Sequence, residues 1–433
     1  MKIGFLLPIA TCLSLANATA TSNTFLLQAI SNTTNTISSY EDKCYRETHT
    51  ISNSNDLKYL EDCQTLKGDV LISNFKEPII QLSSNLQEIS GSLTIRNAPH
   101  LVRLEGPKLT SIGETFSIRE LTSLALISFP ELKSVKVLDW KVLPILSTVH
   151  FNSEIKDVES ITVTDTSLTA FSGFMTNNLH TLDLNNNRFL ESITSNVERV
   201  TEKLHIAANA ENVHVNLSHL KFAKNLTIQE TSNIDLSSLE NVENSASFIN
   251  NYFKQLKIPK LKAIGGTLSI SRNQVLNQVE FPMTDEIGGG LVVVNNTAIE
   301  KINFLPKLSI IGEAMEIVGN IKDIQLKQLK LVKGSAKITA FSSIFDCTKW
   351  TKSEVGSIIR GGKIECTNAK GTINTSSNGT GDDNRNMDGI NHDGAFAEPA
   401  PGFKYRSEAV KKAISFVLLS IALSSYYLVL KLN

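Results

Sequence analysis

An aliphatic residue, a short loop and then an apolar–polar–apolar triplet recur along the chain about every 22 residues, as in ISGSLTI (89–95), VTEKLHI (200–206) and IGGTLSI (264–270). The phrase begins at Leu66, Ile89, Ile112, Ser134, Asp157, Asn178, Val200, Phe222, Val242, Ile264, Ile287, Ile311 and Val332, covering 266 residues in twelve steps. Its fifth position runs from Val70 through Leu93, Phe116 and Leu138 to Ala336, and its seventh from Ile72 through Ile95, Ile118 and Trp140 to Ile338. Every member of both columns is apolar. The sixth position is mostly polar and includes Thr94, Ser117, Asp139, Thr162, Asp183, His205, Thr227, Ser247 and Ser269. That alternation is a strand with one buried face. Its return at a fixed period predicts a solenoid, in which each turn of chain buries its apolar side against its neighbours. At roughly 4.8 Å per turn the stack is on the order of 60 Å long, one extended surface with no obvious pocket.

Two further columns support this register. Asparagine recurs two or three residues past the strand, at Asn74, Asn97, Asn186, Asn209, Asn250, Asn273, Asn295 and Asn320. Asparagine tolerates the left-handed conformation and so suits a repeated corner. Proline stands five residues before the phrase at Pro107, Pro259, Pro282 and Pro306, where a missing N–H is harmless at a strand start or corner. The rest of each turn has no 3.6-residue period and reads as short strands and turns. A leucine-rich repeat shares the period, and Leu179–Asn187 (LHTLDLNNN) matches its pattern, but most turns lack the first leucine. The expected fold is therefore all-β: a right-handed β-helix-like or leucine-rich-repeat-type solenoid of the receptor L-domain kind, with about thirteen coils over residues 66–345.

The ends of the chain carry export signals. Residues 1–20 open with Lys2, run apolar from Ile3 to Ala16 and end in small residues, which predicts a secretory signal peptide cleaved after Ala18 or Ala20. Residues 370–408 are rich in Asn, Gly, Asp and Ser without periodicity and read as a disordered stalk. The terminal segment 409–433 holds an apolar run from Ala413 to Leu430 behind Lys411 and Lys412. A polar stalk followed by such a tail predicts a GPI-attachment signal, with Asp393 of the small triplet Asp393-Gly394-Ala395 as the attachment residue. A single-span anchor with Lys431 on the cytoplasmic side is the alternative.

Cysteine usage agrees with export. Cys12 leaves with the signal peptide, and four cysteines remain, Cys44 and Cys63 before the first coil and Cys347 and Cys366 after the last. Three pairings are formally open. A long stack keeps its ends apart, so Cys44–Cys63 and Cys347–Cys366 are the geometrically reasonable bonds, inside caps at 21–65 and 346–369. Neither pair has zinc-type spacing, so no metal is expected. Sequons at Asn32, Asn216, Asn225, Asn295, Asn374 and Asn378 are candidate glycan sites, and Asn295 also falls in the corner column.

Candidate chemistry is sparse. Gly288-Gly289-Gly290 precedes a strand, not a helix, and reads as a tight corner of its coil. His205, His214 and His219 lack metal-protease spacing and read as surface residues. Asp139 and Asp183 share the outward column two coils apart, roughly 10 Å, with Thr162 between them and His205 beyond. Those four form a candidate ligand face. Two carboxylates at that separation also suit a glycosidase, though an exposed sheet face carries carboxylates in any case. Trp140 belongs to an inward column and Trp350 to the C-terminal cap, so neither is expected to offer a sugar platform. The balance of 42 basic and 43 acidic residues argues against a nucleic-acid surface. No cofactor is indicated.

The segments VTDTSL (163–168), LNNNRFLES (184–192), FINNYF (248–253), GGTLSISRN (265–273), GGGLVVVNNT (288–297) and IGEAMEIVGN (311–320) resemble the fungal GPI-anchored cell-wall organisation proteins, including the yeast sporulation-specific spore-wall proteins. The resemblance covers roughly residues 60–366. It implies a receptor L-domain-like, non-enzymatic surface glycoprotein on the outer leaflet and in the wall, with β-glucan or mannoproteins as partners. It supplies no catalytic residues to carry over. A β-glucan-remodelling enzyme and a receptor-like binder of a protein ligand are the alternatives.

Overall fold

The computed structural model describes residues 43–351, 357–360, 363–370 and 373–377. The segment read as a signal peptide, the segment read as a tail and most of the stretch read as a stalk lie outside the described residues, as do Asn32, Asn378 and Asp393. The start of that stretch is corrected, because Ile373–Ser377 is a strand and not disordered. What is described is a parallel β-solenoid of about 13 turns.

Strand pairing reproduces the repeat register rung by rung. Val70 pairs with Leu93, Leu93 with Phe116, Phe116 with Leu138 and Leu138 with Ile161, and the fifth column continues through Leu182, Leu204, Leu226, Ala246, Leu268, Leu291 and Met315 to Ala336. The seventh column is paired in the same way from Ile72 to Ile338. Both columns point inward, and nearly all their members are fully buried in one continuous core. Because side chains alternate with period two, a one-residue slip would turn this whole apolar column to solvent, which fixes the register. Phe116 anchors part of the core, edge-on to Trp140 at 5.6 Å and to Phe129 at 5.1 Å.

The remainder of each coil forms a second, shorter wall. Strands Ile79–Gln81, Arg103–Glu105, Leu126–Ser128 and Thr148–His150 pair in one parallel sheet, and Ala170–Phe171, Ser192–Thr194, His214–Asn216 and Asn233–Asp235 in another. Two smaller pairs follow, Gln255–Lys257 with Gln278–Glu280 and Lys301–Ile302 with Asp323–Ile324. The wall is thus interrupted at three places, the first between Thr148–His150 and Ala170–Phe171, and the expectation of an extended surface with no obvious pocket is corrected there.

The asparagine column also needs correction, because it is two columns. The first is a left-handed corner at Asn74, Asn97, Glu120, Val142, Asp165, Asn186, Ala208, Glu230, Asn250, Arg272 and Asn295, with φ between 51° and 60°. The second lies one residue on. In the early coils it is apolar and buried, as Phe75, Ala98, Leu121 and Leu143. From Thr166 it becomes a polar ladder through Asn187, Asn209, Thr231, Asn251, Asn273 and Asn296. Each inward amide satisfies backbone groups that a turning chain would otherwise leave unpaired. Asn273, for instance, donates through Nδ2 to the Phe248 carbonyl (3.0 Å) and accepts from the Asn251 N–H (2.8 Å). Asn209 and Asn273 belong to this ladder and not to the left-handed corner, and Asn320 is exposed.

Gly288 and its neighbours behave as the sequence suggests. A Cβ on Gly288 would lie 2.3 Å from the Gly265 carbonyl oxygen, and one on Gly312 would lie 1.9 Å from that of Gly288. Backbones stack here with no room for a side chain.

Disulfides close both ends. Cys44 and Cys63 are bonded with Cα atoms 5.8 Å apart, and Cys347 and Cys366 with Cα atoms 5.6 Å apart. The strands extend into the segments read as caps. Tyr45–Ile51 pairs parallel with Thr65–Ser73, and Lys363–Thr367 pairs parallel with Ala336–Ala340. Ile373–Ser377 then runs antiparallel to Lys363–Thr367, so the ladder ends on a reversed strand.

Candidate functional site

The outward column of the long sheet gathers all four candidate face residues on successive rungs. Asp139 pairs with Thr162, Thr162 with Asp183 and Asp183 with His205. They stand on the strands Ser134–Leu143, Ser160–Thr166, Asn178–Asn185 and Arg199–Ala207, among the longest in the molecule. Length matters here: a long regular strand fixes every outward side chain at the sheet spacing.

The two carboxylates differ from the expectation of free, solvent-facing acids. Asp139 is 7% exposed and Asp183 9%. Asp139 accepts from Arg119 Nε at 2.8 Å and from the Arg119 Nη2, and Lys141 Nζ lies 2.9 Å from its other oxygen. Asp183 accepts from Lys203 Nζ at 2.6 Å and Asn185 Nδ2 at 2.7 Å, and pairs with His205 Nδ1 at 2.8 Å. Burial pushes the Asp183 carboxyl up, but the hydrogen bonds from His205, Lys203 and Asn185 outweigh it and hold it well below the usual carboxylate range. A glycosidase general acid needs the opposite, a carboxyl kept protonated near neutral pH. Asp183 is unsuited to that role.

Chemically, the face is a set of fixed hydrogen-bonding groups. Arg119, Lys141 and Lys203 keep their own side chains 39–51% exposed while gripping the buried carboxylates. Farther along, Thr227, Ser247 and Ser269 pair on successive rungs and are half-buried, giving a stripe of hydroxyls. The column then changes to Val292, Glu316 and Lys337, the last two 3.5 Å apart as an ion pair. Among the described residues, no group of three or more His, Cys, Asp or Glu is placed to hold a metal ion.

The sequons are spread over other surfaces. Asn216 is exposed and accepts from the Ser218 N–H at 3.1 Å. Asn295 is exposed at a left-handed corner, and the buried corner amide is that of Asn296. Asn225 is half-buried, and its Nδ2 donates to the Glu202 carbonyl at 2.9 Å. Asn374 pairs with Cys366 in the terminal strand. Trp140 and Trp350 are both buried, as their positions suggest.

Sequence reasoning missed two features. One is the inward asparagine ladder, whose signal was the doubled Asn186-Asn187, Asn250-Asn251 and Asn295-Asn296. The other is the first break in the second wall, marked only by the clustering of Phe151, Phe171 and Phe174 near an irregular coil.

No family model matches the chain, and neither does any solved structure. Three curated relatives span most of it. Sporulation-specific protein 22 of Saccharomyces cerevisiae is 40% identical over 352 residues, 80% of this chain and 76% of that protein. The cell surface GPI-anchored protein of Arthroderma benhamiae is 31% identical over 357 residues, 80% of this chain and 88% of that protein. The cell surface GPI-anchored protein ECM33 of Candida albicans is 33% identical over 340 residues, 78% of this chain and 82% of that protein. With identities of 30–40% over most of its length, the chain belongs to the fungal family of GPI-anchored cell-surface and cell-wall proteins that includes the sporulation-specific proteins.

Proposed function

We propose that this protein is a non-enzymatic, GPI-anchored surface glycoprotein that organises the fungal cell wall or spore wall. Its solenoid is displayed on the outer leaflet and in the wall. The long-sheet face, from Asp139 to Ser269, is its contact surface for β-glucan or wall mannoproteins. The observation that carries this reading is the unbroken pairing of that outward column, in which Asp139 and Asp183 are committed to ion pairs and Thr227, Ser247 and Ser269 offer a fixed row of hydroxyls. A rigid flat row of donors and acceptors suits a polymer better than a small substrate, and the depressed Asp183 carboxyl is unsuited to acid catalysis. Attachment through Asp393, after removal of the tail, completes the assignment.

Deleting the gene and measuring wall integrity in vegetative cells and in spores tests the organising role. A wall indistinguishable from wild type in both would refute it. Turnover of laminari-oligosaccharides by the purified protein, abolished by Asp139→Asn or Asp183→Asn, would make it an enzyme instead. Release from the membrane by a phosphatidylinositol-specific lipase tests the anchor, and retention after lipase would favour a single span.

A further inference from the structure

The first interruption in the second wall, between Thr148–His150 and Ala170–Phe171, opens a cleft of about 390 Å³, within the size range of small-molecule sites. Thr148–His150 pairs with Leu126–Ser128 on one side and with no strand on the other, and Ala170–Phe171 pairs only with Ser192–Ile193. The floor is aromatic: Trp140, Phe151, Phe171 and Phe174 all line it, with Phe171 and Phe174 stacked at 5.0 Å. Hydroxyls ring the mouth, among them Ser147, Thr169 and Ser172.

Two observations say what fits there. Trp140 is 2% exposed, yet its indole N–H is the one buried side-chain polar group without a partner among the described residues. An orphaned buried donor is costly, and it calls for an acceptor that the chain itself does not provide. The cleft also has no ionisable side chain in its lining. Four other clefts among the described residues each include charged groups, such as Glu280 and Lys301, Lys322 and Asp323, Lys327, and Arg272. A charged ligand would find no counter-charge here, and a purely apolar one would leave the indole unpaired. A pyranose meets both demands, with C–H faces for the phenyl rings and hydroxyl oxygens for the N–H and the Ser/Thr rim.

We propose that this cleft is a subsite for one or two neutral hexose units of a glycan. The site stands on its own geometry. It rests on the wall-contact reading only for the source of the glycan, and it adds a second contact away from the long-sheet face.

Calorimetric titration of the full chain in detergent with laminari-, manno- and chito-oligosaccharides tests this, with cationic chitosan oligomers as the charged control. At least one neutral series is expected to bind saturably and the chitosan series not to bind. Trp140→Phe keeps an aromatic ring, though a smaller one, and removes the donor, and should weaken binding about fivefold, as loss of one hydrogen bond does. Ala170→Arg, at the exposed rim, should abolish binding while leaving the melting temperature unchanged, which keeps the test open if Trp140→Phe unfolds. No binding of any neutral series, or binding undiminished in both variants, overturns the proposal. Undiminished binding would leave the wall-organising role intact, whereas a normal wall in the deletion strain would remove that role without touching the cleft.

Discussion

His205 Nδ1 stands 2.8 Å from Oδ1 of Asp183, one rung farther along the same outward column. With Lys203 and Asn185 it holds the Asp183 carboxyl ionised well below the usual carboxylate range. A carboxyl whose folded pKa is depressed contributes stability that is fully present above its unfolded pKa of about 3.9. That contribution is lost as pH falls from there through the lower folded value. The melting temperature should therefore be insensitive to this group between pH 5 and 7 and fall below about pH 4. Asp183→Asn should cost about 2 kcal/mol at neutral pH and flatten the acid limb. Melting curves of both proteins from pH 2 to 7 check it, and parallel acid limbs would contradict the assignment.

Asn273 is fully buried and bonds across coils to Asn251, Phe248 and Asn296. Asn273→Ala strands the Phe248 carbonyl and the Asn251 N–H in the interior. Each group left unsatisfied costs about 1–3 kcal/mol, so the variant should lose about 2–5 kcal/mol in chemical denaturation. Asn97→Ala, at an exposed left-handed corner, should lose only about 1 kcal/mol. Equal losses in the two would mean that the inward ladder adds nothing beyond turn propensity.

Val142 occupies a corner that most coils give to asparagine or another unbranched residue, with φ at 59°. A β-branched residue in that region is strained, and Val142 is 39% exposed, so its side chain contributes little packing. Val142→Asn should stabilise the protein by about 1 kcal/mol, read as a higher denaturation midpoint. A lower midpoint would show that the side chain packs more than its exposure implies.

Asn216 and Asn295 present exposed amides, whereas the Asn225 amide already bonds the Glu202 carbonyl. Enzymatic deglycosylation in heavy-oxygen water followed by peptide mass spectrometry should mark Asn216 and Asn295 at high occupancy and Asn225 at lower occupancy. Full occupancy at Asn225 would mean that glycan transfer precedes closure of that coil.

Much of the solenoid was legible because its determinants are local and repeated. The fifth and seventh columns, Val70 to Ala336 and Ile72 to Ile338, each call for a strand with one buried face, and their pairing follows from a constant coil length. The cysteine bonds were legible for a similar reason, since each links residues 19 apart at one end of the stack. The candidate face was legible as a column but not as chemistry. Asp139 and Asp183 alternate like surface residues, and their partners Arg119 and Lys203 come from neighbouring coils about 20 residues away.

The sequence by itself determined the period and the inside and outside of each strand, because these depend on side-chain alternation and short-range pattern. Only the tertiary structure decided which asparagines turn inward, which carboxylates are locked, and where the second wall parts beside Trp140. Those outcomes depend on hydrogen bonds between coils, where the partner of each group sits one turn of the stack away and no local pattern names it.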